Sequence, residues 1–258
     1  MSFLQTALLG GFAGLTIYLG LPFGRVTNMP EKIRTYLSML SAGILLFLFI
    51  DIFEQIAGPV EAALDGKAYR QFALLLAILA GGFGLGLLGL ILFDRRFVQG
   101  QPGPNPARAP QRLALMIAAG IGLHNFSEGL AIGQSAGAGH IALAAILIIG
   151  FGLHNATEGF GIVGPLVGKA RPTWKFLGLT GLIGGGPTFL GTLAGYWLVS
   201  PLLAVLFLSL ACGALVFILG ELFNINRQPR LKLPAGWGLF TGFLVAYLTD
   251  LVLKIAGV

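Results

Sequence analysis

The chain has 258 residues, 56% of them apolar and 10% charged, against about 45–50% and 25% in soluble domains. That composition argues against a soluble enzyme, and the net charge of +6 does not by itself make a nucleic-acid binder. Forty glycines without a collagen-like period read as close helix packing inside apolar segments.

Taken in chain order, eight stretches are nearly free of charge: 3–24, 35–58, 71–93, 113–135, 141–168, 176–199, 202–223 and 234–253. A helical bilayer span needs ~20 apolar residues, so each is long enough to cross. The first has neither a positive leader nor a small-residue cleavage pattern and reads as a retained span. Between the third and fourth lies QGQPGPNPARAP, too rich in Pro and Gly to form a core, which reads as a flexible cytoplasmic loop over about 95–111. Cys212, the single cysteine, falls in the seventh span and excludes a disulfide framework.

The basic residues orient these spans. Alternate loops hold 13 and 3 of the 16, and Lys and Arg accumulate on the cytoplasmic side. The expectation is an all-α protein of eight transmembrane helices, one transmembrane domain over residues 1–258, multi-pass in the cell membrane with both termini extracytoplasmic. Its positive charge then faces anionic lipid, with the bilayer and not nucleic acid as partner.

The acids are placed differently. Asp51, Glu54, Glu128, Glu158, Glu221 and Asp250 lie within or near the ends of the spans, without Lys or Arg at the same depth. Intramembrane carboxylates are costly unless paired or hydrated, so a cation from outside is their natural partner. Glu54 and Asp250, near span ends, have interfacial placement as an equal alternative.

Residues 122–132 read GLHNFSEGLAI and residues 152–162 read GLHNATEGFGI, a local duplication in consecutive spans. In each copy His and Glu are four apart, His124 with Glu128 and His154 with Glu158, and share one helix face. Two imidazoles and two carboxylates suit first-row divalent ions, and the absence of thiolates argues against Cu(I). Asn125 and Asn155, about 100° round the helix, offer oxygen on a neighbouring face. His140, between the spans, reads as solvated.

On these motifs the sequence resembles the ZIP family of divalent-metal transporters. HNFSEG is similar to the family's fourth-span signature and HNATEG to its fifth-span one. The resemblance implies a 3+2+3 arrangement, with spans 1–3 and 6–8 related by inverted repetition around spans 4 and 5. It implies a main metal site of His124, Glu128, His154 and Glu158, with Asn125 and Asn155 contributing to an adjoining one. Asp51, Glu54 and Glu221 are pathway candidates.

Three departures stand out. Ser127 and Thr157 replace the family's prolines before Glu, so a milder bend through hydroxyl bonds to the i−4 carbonyl is expected. Gly186, before Pro187, replaces a family Glu, so the second site is expected to be weak or absent. The cytoplasmic loop lacks a His-rich tract.

The expected function is secondary transport of divalent cations of the Zn, Fe, Mn and Cd class toward the cytoplasm. Zn²⁺ or Fe²⁺ is cargo and there is no resident cofactor. No nucleotide-binding loop is present. The rivals are an intramembrane di-metal enzyme and a metal-sensing membrane protein without flux. The Gly-rich spans leave room for a membrane homodimer.

Overall fold

The structure is a computed structural model and describes residues 1–99, 109–169, 171–198 and 200–255. Residues 100–108 of the expected loop lie outside the described residues. Eight helices are long and apolar enough to cross a membrane, and the described residues contain no strand. They are α1 (Phe3–Leu15), α2 (Glu31–Asp65), α3 (Tyr69–Phe93), α4 (Ala109–Gly137), α5 (Ile141–Val163), α6 (Trp174–Trp197), α7 (Pro201–Ile225) and α8 (Lys232–Ile255).

Local chemistry sets the ends. Ser2 and Gln5 form a capping box on α1, Thr173 accepts from the Phe176 amide at the start of α6, and Ser200 accepts from Leu203 ahead of Pro201 in α7. Such side chains satisfy amides that have no partner within the helix. The first span does not stay α-helical. After Leu15 it continues as 3-10 turns over Thr16–Leu19 and Leu21–Arg25, with Gly20 and Pro22 in the tightened stretch.

Span 2 is the clearest departure from the sequence boundaries. α2 has 35 residues and runs through Pro59, roughly 52 Å at 1.5 Å per residue against a hydrocarbon core of ~30 Å. Counting uncharged residues measures only the part that lies in lipid, and the helix goes on past it with Glu54, Glu61 and Asp65 exposed.

The most extensive pairings are α4 with α6, α2 with α8 and α3 with α7, and glycine makes each possible. A methyl on Gly129 or Gly133 of α4 would strike the Thr188 or Thr192 carbonyl of α6. A methyl on Gly238 or Gly242 of α8 would strike Tyr36 or Leu40 of α2, and one on Gly86 of α3 would strike Leu210 of α7. Helices without side chains at the crossing approach until backbones touch, and dispersion replaces the hydrophobic drive that lipid does not supply. Glycine content, the ground for expecting a homodimer, is thus largely spent within the chain.

The outer faces are apolar. Leu85, Leu88 and Leu92 of α3 and Leu182 and Leu190 of α6 are exposed, as lipid contact requires. Trp174 and Trp197, at opposite ends of α6, are 62% and 73% exposed, and Arg25 lies 4.4 Å from the Trp174 ring centroid. Cys212 is buried, its thiol facing the Phe49 carbonyl.

Candidate metal site

The duplicated motifs lie toward the C-terminal halves of α4 and α5, and both helices run through them unbroken. His124 is 2% exposed, Glu128 5%, His154 5% and Glu158 0%. His124 Nε2 approaches Glu128 Oε1 at 3.3 Å, and His154 Nε2 approaches Glu158 Oε1 at 3.6 Å, as the spacing of four predicts. The two imidazole rings stand 6.1 Å apart. Ligand atoms of His124, Glu128 and His154 all fall within 4.8 Å of one another. Glu158 adjoins this group through His154 and accepts from Asn125 Nδ2 at 3.0 Å.

The donor set fits a divalent ion by what it leaves unsatisfied. His124 Nδ1 and Nε2, Glu128 Oε2, His154 Nε2, Glu158 Oε1, Asn125 Oδ1 and Asn155 Oδ1 are buried without a hydrogen-bond partner. Buried polar atoms are rarely orphaned, because each costs about 1–3 kcal/mol. Here nearly all the orphans are imidazole nitrogens, carboxylate oxygens or amide oxygens, which are first-row metal ligands.

The asparagines have a second task. Asn125 Nδ2 also donates to the Gly184 carbonyl at 3.0 Å, and Asn155 Nδ2 donates to the Ala13 carbonyl at 3.1 Å. Gly184 lies three residues before Pro187, whose ring cannot support the ordinary helical ladder. Ala13 lies where α1 passes into its 3-10 turns. Each amide thus bonds a carbonyl near an irregularity in a neighbouring helix, the Ala13 carbonyl also accepting from Thr16 Oγ1, and each amide oxygen is held in the interior.

The expected hydroxyl bonds are only partly present. Thr157 Oγ1 donates to the His154 carbonyl at 2.7 Å, three residues back and not four, whereas Ser127 Oγ has no partner. On α6, Gly186 lines an apolar groove with Phe12, Leu182 and Phe189, so α6 brings no carboxylate to Asn125.

A cavity of about 350 Å³ reaches Glu128 and His154 from the end of the bundle where α2, α4 and α8 finish and α5 and α7 begin. Asp51, Gln55, Gln134 and Asp250 line it. Of the pathway candidates, Asp51 lies on this wall and accepts from Gln55 Nε2 at 2.8 Å. Glu54 is exposed beside Phe243 and Tyr247, outside that cavity. Glu221 is half-buried at the other end of the bundle. Asp250 stands on the same wall as Asp51, and its signal in the sequence was an acid without a basic companion near a span end. His140 is exposed at the start of α5.

An eight-helix bundle with a buried His/Glu cluster reached by a cavity that carries Asp51 and Asp250 defines a multi-pass membrane protein that handles metal. Sequence comparison gives the family. A family model described as ZIP zinc transporter matches residues 101–250. The chain is also 28% identical to the zinc transporter ZupT of Enterobacter sp. (strain 638), over 95% of each chain. The chain belongs to the ZIP zinc transporter family and is a divalent-metal transporter, not an enzyme.

Proposed function

We propose that the protein carries divalent transition metals across the cell membrane toward the cytoplasm, with His124, Glu128, His154 and Glu158 as the site through which they pass. The cluster of His124, Glu128 and His154 within 4.8 Å carries this reading. Asn125 and Asn155 border it with their free oxygens, and Asp51 lies on the approach. Glu221 lies toward the far side, and Glu54 belongs to the rim. Zinc is the first candidate cargo, because the similar ZupT is a zinc transporter. Iron, manganese and cadmium share the same ligand chemistry.

The reading includes one transmembrane domain in a 3+2+3 arrangement with both termini extracytoplasmic. The contacts between helices support inverted halves, residue by residue. Gly86 meets Leu210 as Gly242 meets Leu40, and Gly43 meets Leu239 as Gly213 meets Phe83. Gly129 meets Thr188 as Gly159 meets Ile17. The bond from Asn125 to Gly184 repeats as that from Asn155 to Ala13. One register shift per helix accounts for every pair: 171 from α1 to α6, 170 from α2 to α7, 156 from α3 to α8 and 30 from α4 to α5.

Zn²⁺ uptake into proteoliposomes tests the function. Wild-type protein should give saturable uptake, and His124→Ala or Glu158→Ala should lower it at least tenfold while the protein still inserts. Tight stoichiometric binding by wild type without flux would sink the transport reading in favour of a sensor.

A further inference from the structure

Two chambers with charged side chains in their walls open from opposite ends of the bundle. One is the cavity over the metal cluster. The other, about 230 Å³, has Glu31, Arg34, Ser38, Gly164, Lys169 and Asn226 in its wall. The register shifts carry parts of one wall onto the other. Ala204 and Leu208 of α7 line the first chamber, and their counterparts on α2, Arg34 and Ser38, line the second. Gln134 of α4 lines the first, and its counterpart Gly164, just past α5, lines the second.

The repetition keeps the acids but adds cations at one end. The first wall holds Asp51 and Asp250. Their counterparts by the same shifts, Glu221 and Asp94, stand at the opposite end of the bundle and interact electrostatically. At that end Arg34 takes the place of Ala204, and the charge of Lys169 lies near enough for the two to repel. Neither cation forms an ion pair among the described residues. Glu31 is held by Arg230 at 2.9 and 3.0 Å. The Arg34 stem fills the space where Gly168, at φ +72°, carries no side chain. Lys169, beyond the end of the fifth span, holds its proton less firmly than usual, because of burial first and Arg34 second.

We propose that the second chamber is the inner mouth of the metal path, and that Arg34 and Lys169 there offset the acidic pull that Asp51 and Asp250 exert at the outer mouth. A divalent ion is then captured at one mouth and released at the other. The proposal rests on the transport reading. One unit charge about 8 Å from a divalent ion in water-like surroundings changes local affinity roughly fivefold.

The test is Zn²⁺ flux through reconstituted protein of one orientation, with KM measured for metal presented to each face. Wild type should show the lower KM at the outer face. Arg34→Gln should lower the inner-face KM about fivefold and leave the outer one unchanged, whereas Arg34→Lys should behave as wild type. The mirror variant Ala204→Arg should raise the outer-face KM by a similar factor without removing a packing group. Equal shifts at both faces, like behaviour of the Gln and Lys variants, or an unmoved outer KM in Ala204→Arg would overturn the proposal with transport intact. Wild-type protein without flux would overturn the transport reading and this proposal together.

Discussion

His124 and Glu128 are four residues apart on one helix, and so are His154 and Glu158, but only the packing of α4 against α5 makes them one site. The spacing made each pair legible in the sequence, since residues four apart share a helix face. The chain's use of Asn125 and Asn155 was not legible, because their partners, Gly184 and Ala13, lie 59 and 142 residues away. The same holds for Asp250, which reaches the cavity only because Gly238 and Gly242 fix how α8 lies on α2. At this scale the departure at Gly186 has a countable result. With Gly186 on the apolar groove and no carboxylate from α6 beside Asn125, Zn²⁺ titration of the purified protein should give one tight equivalent per chain. Two equally tight equivalents would show that an adjoining site forms without that acid.

Among the elements, α4 and α6 are joined most intimately. Gly129 and Gly133 lie against Thr188 and Thr192 of α6, and Gly191 and Gly195 of α6 lie against Phe126 and Leu130 of α4. Both backbones are in contact, so there is no side chain that can give way. Gly133→Leu should therefore cost at least 1–3 kcal/mol, the usual range for overpacking, and lower the detergent-solubilised melting temperature. Gly81→Leu, on the open side of α3 where nothing lies within 4 Å, is the matched control and should be near neutral. Helix existence could be read from the uncharged stretches, but helix length could not. The overhang of α2 is helix continuation through Pro59, and the 3-10 ending of span 1, marked locally only by Gly20 and Pro22, lies against Gly159 and Phe160 of α5.

For the whole molecule, the low charge content was informative through its distribution. The eight helices and the candidate metal cluster follow from it, but the proposed equivalence of the two halves does not, because the contacts that support it are backbone to backbone and need not leave matching side chains. The ligand set also fixes the sign of a pH response. Imidazole and carboxylate bind metal only when deprotonated, so binding releases protons and acid competes with it. Uptake should fall as the outer pH is lowered from about 7 toward 5, near the ordinary titration range of histidine, and Zn²⁺ added to lightly buffered protein should acidify the solution. Uptake that rises steadily over that range would mean that protons drive transport more than they compete for the ligands.

The exposed Trp174 and Trp197 close the two ends of α6, about 35 Å apart for a 24-residue helix. Indole rings settle at the boundary between hydrocarbon and headgroups, so this helix carries a ruler for the bilayer, and its contacts with α4 transmit that measure to His124 and Glu128. Lipid thickness thereby becomes a control variable. In vesicles of graded acyl-chain length, turnover should peak where the membrane matches the tryptophan spacing and decline on both sides, as mismatch strains or tilts α6. Turnover indifferent to chain length would mean that α6 floats free of its anchors.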